Sequence, residues 1–370
     1  MRIILWDHYN SVMGGAERII INLTVELSKQ VPVLVVAFKS GVIVQELQRV
    51  GANYQLVEPN DPSLPTKVQK DDLLLDFGTF REHCALATVN PRFLLWRIFP
   101  GLQCASRLAS FLCRLTFLRL DALDSLFFMD NECHSTASKE LRHAFTKRIL
   151  PVPIPIGERH YIAKPLSERI NITYIGRGGR IWKITPLKKL AQDLSQVAGQ
   201  LFHLHVFTDT NELFARELQP FLSSALQVSY HYGYTGEKLS QKLLELGDLH
   251  YSMGTACLEG AALGIPTILA DASYEDFPEE YRYRWLFEDP ENYAGNFVKA
   301  DQLKPGHNAV ELLQMSASPE QLEQLSLDTY AVALRYSCTR IANEILSLKP
   351  RARLRDGLRF MPTYWRKRLF

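Results

Sequence analysis

The sequence predicts an α/β protein of two Rossmann-like halves in tandem, and three observations predict it. Apolar runs of strand length alternate with segments of helical period. The alternation stops once, at a run of prolines, and then restarts. The length of 370 residues suits two domains at roughly 150 residues each. In the first half, residues 3–6, 31–38, 72–77, 93–99 and 125–129 read as buried strands, with helices over 16–29 and near 44–50. That order is the bookkeeping of an open parallel sheet. Pro151, Pro153 and Pro155 cannot belong to a central strand or a helix, because each lacks a donor and has its φ fixed. They and the charged stretch to Arg169 mark the seam. Strands then recur over 170–175, 202–207, 226–231, 248–252 and 266–270, separated by helices over 186–197, 212–222, 238–246 and 256–263. A strong helical pattern over 325–348 is long enough to return to the first half. The predicted domains are residues 1–165, 166–348 and a basic tail, 349–370.

Composition excludes several classes. Hydrophobic residues make up 46% and charged residues 22%, globular averages that do not fit a mainly disordered, collagen-like or coiled-coil chain. The richest apolar stretch, residues 108–120, is interrupted by Arg114 and Arg119, so no spanning helix of about 18 apolar residues is expected. The first residues read as a strand rather than a signal peptide, which places the protein in the cytosol. Six scattered cysteines without a C-x-x-C pair fit reduced thiols better than a disulfide framework or a zinc site, and no metal is expected.

Charge is uneven. Residues 349–370 carry eight cations against Asp356 alone, a net +7 that leaves −5 for the rest of a chain whose total is +2. A second basic stretch, Arg92 to Arg119, has arginines among Leu and Phe and no acid. Basic and apolar residues together point to an anionic membrane surface, on its inner, cytoplasmic side. Nucleic acid is the weaker partner, since the body is net acidic and no nucleic-acid motif is present.

Three strand-to-helix loops carry candidate chemistry. Gly14-Gly15-Ala16-Glu17-Arg18 puts a glycine pair at a helix start, where bare amides and the helix dipole favour an anion; a simple tight turn is the other reading. It is neither G-x-G-x-x-G nor a P-loop. Gly176-Arg177-Gly178-Gly179-Arg180-Ile181-Trp182-Lys183 follows a strand, where open sheets bind ligands. The planar fork of Arg177 and the mobile charge of Lys183 suit a diphosphate, although loop cations are also commonly just solvated. In the third loop, the amides of Gly254, Thr255 and Ala256 start a small-residue helix that suits phosphate. Glu259 lies about one turn further in. A carboxylate in an apolar helix needs a partner, either two ribose hydroxyls or neighbouring backbone. Tyr232 and Tyr234 flank Gly233, and Tyr234 offers a ring for a nucleotide base or simply packs.

These loops, in this order on tandem Rossmann-like halves, resemble the GT-B glycosyltransferases of the large retaining family 4, over about residues 1–345. Gly14 to Arg18 is similar to its glycine loop, Gly176-Arg177 with Lys183 to its G-R…K site, and residues 258–266 to its L-E-A-x-A-x-G-x-P helix. Met129 to Glu132 and Ile154 to Gly157 are weaker matches. The resemblance implies two Rossmann-like domains facing a central cleft. It implies a UDP- or GDP-linked sugar donor and no cofactor. Arg177 and Lys183 would stabilise the leaving diphosphate. Gly14, Gly15, Gly176, Gly254, Thr255, Ala256, Glu259 and Tyr234 would contact the nucleotide sugar. Retention and metal independence follow from the resemblance alone. Two departures stand out. Tyr251 occupies the place of the family's first motif glutamate, which contacts the donor sugar, and the family's first-domain histidine has no clear counterpart, His8 and His134 being the candidates.

The expected function is glycosyl transfer to a hydroxyl of a lipid-linked or polysaccharide acceptor, by a protein peripheral on the membrane. A non-catalytic GT-B relic that binds nucleotide or scaffolds a glycan assembly is the alternative from another class, and a GT-B epimerase is a third.

Overall fold

The computed structural model describes residues 1–7, 13–77, 80–98, 107–163, 168–298 and 303–359. They form two compact units, residues 1–153 together with those from 336 onward, and residues 154–335.

The first unit contains β1 (Ile3–Trp6), α1 (Gly15–Leu27), β2 (Val33–Val36), α2 (Val42–Arg49), β3 (Gln55–Val57), α3 (Leu64–Lys67), β4 (Leu73–Asp76), β5 (Arg92–Arg97), α4 (Arg107–Ala122), β6 (Leu126–Phe128) and α5 (Asn131–Glu140). Its sheet has the order β3-β2-β1-β4-β5-β6 and is parallel throughout. The central strand β1 pairs Ile3 with both Val33 and Leu73, and all four of its residues are buried. Covered on both faces, such strands read as unbroken apolar runs, which is why they were legible.

The second unit contains β7 (Arg169–Ile175), α6 (Ile181–Ser195), β8 (Leu201–Phe207), α7 (Glu212–Leu218), β9 (Leu226–His231), α8 (Gly236–Leu246), β10 (Leu249–Ser252), α9 (Thr255–Ala262), β11 (Thr267–Leu269), β12 (Arg284–Trp285), α10 (Ala309–Met315) and α11 (Pro319–Leu334). The order is β12-β11-β10-β7-β8-β9, and only β12 runs antiparallel to its neighbour. The chain's first strand in this unit, β7, is therefore central, with β8 on one side and β10 on the other.

Among the boundaries that differ from the sequence reading, two matter most. Helix α6 begins at Ile181, so Pro186 is inside it and Lys183 sits in its first turn. The pattern over 325–348 is two helices, α11 and α12 (Cys338–Ser347). Between them Ser337 caps α12 by accepting the Arg340 N–H at 3.3 Å.

Helix α12 packs on α1. Thr339 Oγ1 donates to Glu26 Oε1 at 2.8 Å and Gln30 Nε2 to Asn343 Oδ1 at 2.9 Å. The following α13 (Leu354–Leu358) is also part of the first unit. The Ala352 carbonyl accepts the Phe93 N–H at 3.0 Å, its own N–H donates to Ser125 Oγ at 3.0 Å, and Ala352 and Leu354 are fully buried. The basic stretch that starts at residue 349 is thus folded onto this unit as far as Arg359. The aromatic and basic residues from Phe360 to Phe370 lie outside the described residues.

Candidate functional site

Ligands of open parallel sheets bind beyond the carboxyl ends of the strands, where the strand order reverses. In the second unit that point lies between β7 and β10, and α6 and α9 both begin there.

The glycines of the β7–α6 loop answer to close packing. A Cβ on Gly176 would lie 2.5 Å from Tyr174 Cε1, and one on Gly178 would lie 1.9 Å from the Thr210 carbonyl oxygen. Their amides are already committed, Gly176 donating to the Phe207 carbonyl at 3.0 Å and Gly178 to Asp209 Oδ1 at 2.8 Å. Burial works against the Asp209 charge, but the Gly178 and Thr210 amides and the Thr208 hydroxyl prevail and hold its carboxyl below the usual range. The loop is clamped, so Gly176 shapes the site without offering its N–H to it. What the loop presents is Arg177 and the first turn of α6.

The first two turns of α6 are held by tyrosines. The Tyr174 hydroxyl donates to the Lys183 carbonyl, and the Tyr251 hydroxyl to the Pro186 carbonyl at 3.3 Å. The Lys183 Nζ lies 4.8 Å from the centroid of the Trp182 ring. Burial first, then the neighbouring Arg177, lower the lysine to about 8, against a smaller opposing pull from Cys257. Among the described residues no carboxylate pairs with it. An ammonium destabilised in this way is stabilised by an incoming anion.

Helix α9 contributes the other side. Gly254 has φ +68°, the left-handed region that favours glycine, and its N–H donates to the Tyr293 carbonyl at 2.8 Å. This corrects the expectation that three successive amides are available for phosphate, because Gly254 is already engaged. The Thr255 and Ala256 amides make no hydrogen bond among the described residues, as befits the first helical positions. Cys257 and Lys183 influence each other's titration, which places the starts of α6 and α9 beside one another. Beneath them, buried His250 holds the Ala256 carbonyl through Nε2 at 3.0 Å and contacts Thr173 Oγ1 through Nδ1 at 2.9 Å. Burial lowers its pKa to about 4 although the Ala256 carbonyl opposes this, so the ring is neutral. Its approach needs Gly260, where a Cβ would come within 2.3 Å of His250 Cδ2.

Glu259 is half-buried on α9, one turn in. Tyr234 is 37% exposed and meets Phe207 and His231 edge-on, with centroids at 5.7 and 6.1 Å. Tyr251 is placed out of reach of a sugar. It is fully buried between the Tyr174 and Tyr283 rings, with its hydroxyl turned to Pro186, so its sequence-based candidacy as a donor contact is corrected. An apolar strand flanked by tyrosines explains this better than a ligand does.

In the first unit, Gly14 is extended (φ −144°) and caps α1, and Gly15 is exposed as its first residue. Both belong to the first unit. His8 lies outside the described residues. His134 is structural, with Nε2 bonded to the Phe145 carbonyl at 2.9 Å and its ring edge-on to Phe128. A histidine that sequence reasoning missed is His83. Its Nε2 lies 3.1 Å from Asp76 Oδ1, both residues fully buried, and its ring meets Trp6 at 4.6 Å. The available signal was the carboxylate that ends the apolar run Leu73-Leu74-Leu75-Asp76.

No protein-family model matches the sequence, and no curated protein matches it. Solved structures do match in fold. The Anabaena protein HepE in complex with UDP is 12% identical, with a TM-score of 0.61 over 94% of this chain and 98% of that one. A glycosyltransferase from Rickettsia africae is 14% identical, with a TM-score of 0.59 over 96% and 98%. The lipopolysaccharide outer core galactosyltransferase WaaB is 13% identical, with a TM-score of 0.55 over 94% and 98%. The fold is GT-B.

Proposed function

We propose that this chain is a retaining, metal-independent glycosyltransferase of the family 4 type. It moves a sugar from a UDP- or GDP-linked donor to a hydroxyl of a lipid-linked or polysaccharide acceptor, at the inner face of a membrane. The observation that carries the proposal is Lys183, an ammonium lowered to about 8 beside Arg177 and paired with no carboxylate among the described residues, facing the start of α9. In this reading Arg177 and Lys183 take the charge that grows on the diphosphate as the sugar leaves. The Thr255 and Ala256 amides hold phosphate oxygens, Glu259 accepts from the ribose hydroxyls, and Tyr234 stacks on the base. Gly14 and Gly15 offer bare backbone at the start of α1. The reading is supported by the fold shared with HepE, crystallised with UDP and with UDP-glucose, and with a protein bound to UDP-2-fluoro glucose.

Tyr251 favours a second reading. A core tyrosine where family 4 has a sugar-binding glutamate suits a relic that binds nucleotide without turning it over. The two are separated by incubating the purified protein with labelled UDP- and GDP-sugars, with and without a membrane extract as acceptor. Sugar transfer or slow donor hydrolysis supports the enzyme. Nucleotide binding without either supports the relic, and no binding overturns both.

A further inference from the structure

Helix α4 is apolar on two faces, and among the described residues only one of them is buried. Thr116, Phe117 and Leu120 point inward and are buried. On the opposite side, at helical spacings of three and four, stand Leu108, Phe111, Leu115 and Leu118. Leu108 is 63% and Phe111 55% exposed, and Leu115 and Leu118 are half-buried. On a helical wheel Arg114 and Arg119 lie on either side of this stripe. Arg114 has no ion-pair partner among the described residues, while Arg119 is tied to Asp356 of α13 at 3.0 Å. The one acid of α4, Asp121, is off the stripe and held by Arg148. That same Asp356 contact lays α13 alongside α4, and α13 and the residue that caps it bring two more exposed cations, Arg355 and Arg359. Arg355 donates through Nε to the Ala87 carbonyl at 2.8 Å, a partner that leaves its charge unneutralised.

An apolar stripe bordered by arginines is the pattern of a helix that lies in a membrane interface, its apolar side among the acyl chains and its cations at the headgroups. We propose that the outer face of α4, with the arginines of α13, is the surface by which this protein docks on an anionic lipid bilayer. Charge complementarity selects the occupant. Apolar residues alone would suit a second copy or another protein equally, whereas a border of cations around them, in a chain otherwise net acidic, suits anionic headgroups. The docking surface belongs to the first unit and does not depend on the glycosyltransferase reading.

Flotation with phosphatidylcholine vesicles, with and without phosphatidylglycerol, tests it on the full-length protein. Binding is expected to need the anionic lipid and to weaken with salt. Arg114→Gln should lower partition about fivefold, the effect of one cation near such a surface. Phe111→Ser should lower it about tenfold for the lost apolar burial. Both positions are on the surface, and unchanged circular dichroism and melting would show the fold intact. Should either variant fail to fold, Phe111→Trp gives a second readout, with fluorescence at that position expected to be quenched by brominated acyl chains. Equal partition of folded variants and parent overturns the proposal, as does absence of quenching. Self-association that Phe111→Ser abolishes, without vesicle binding by the parent, also overturns it and assigns the face to a second copy.

Discussion

Lys183 gives up its proton near pH 8 in the free protein because burial and Arg177 both disfavour the ammonium. A diphosphate beside it reverses that preference, so nucleotide binding should raise the lysine's pKa and draw in a proton. Affinity for UDP or GDP should then be level below pH 8 and fall as pH rises through it. Calorimetric titration near pH 8.5, in two buffers of different ionisation enthalpy, should show proton uptake that disappears in Lys183→Met. Binding with no proton uptake would contradict the placement. The same shift has the opposite sign for the empty protein. An unfolded lysine titrates near about 10.4, so between the two values the unfolded chain holds more protons, and this group's contribution to stability rises with pH. In turnover, Lys183→Ala and Arg177→Ala should each cost about 10² to 10³, as loss of one preorganised charge-stabilising donor does, with a smaller loss of donor affinity. Lys183→Arg should rescue only in part, because a planar fork does not replace a compact ammonium. Glu259→Gln keeps the shape and removes the charge that ribose hydroxyls would bond. Calorimetry should show weaker nucleotide binding by a protein whose melting is unchanged.

At the scale of elements, the central strands were legible because burial on both faces writes them as apolar runs, whereas the partly exposed β3 and the two-residue β12 give no such run. The start of α6 was not legible either. Pro186 reads as a first-turn residue, since an interior proline removes the donor for the carbonyl four residues before it, and the sequence does not announce that the helix starts five residues earlier, at Ile181. That earlier start puts Lys183 in a helical turn rather than in a loop. Tertiary packing also set the role of Gly176, expected to contact the nucleotide sugar, and of Gly178, which admit Tyr174 and Thr210. The split of the pattern over 325–348 was available in Ser337, a capping residue within the apolar periodicity. The α9 helix yields a specific coupling. Gly260→Ala should cost about 1 to 3 kcal/mol through overpacking against His250. Adding His250→Ala should remove most of that penalty, although this second change has its own cost at the Ala256 carbonyl. Denaturant titration of the four proteins in this cycle measures the coupling. Additive effects would mean that His250 does not occupy the space Gly260 leaves.

For the whole molecule, the chain's last described helices belong with its beginning. Removing residues 349–370 takes away Ala352 and Leu354, which are fully buried beside β5. It should destabilise the first unit by about 2 to 5 kcal/mol, the usual cost of deleting a buried leucine, seen as an earlier first transition in denaturant. A basic composition in sequence had suggested only a surface tail, because charge counts do not register which backbone groups of a segment are bonded. The central claim is that the second unit binds a nucleoside diphosphate sugar through Lys183 and its neighbours. The most direct test is the melting temperature of the parent and of Lys183→Ala across a panel of UDP- and GDP-sugars. A ligand at 100 times its dissociation constant adds about 2.7 kcal/mol, which for domains of this size is a shift of about 5 °C or more. At least one member of the panel should produce that shift in the parent and lose most of it in Lys183→Ala. A panel that leaves the parent's melting unmoved, or moves both proteins equally, would contradict it.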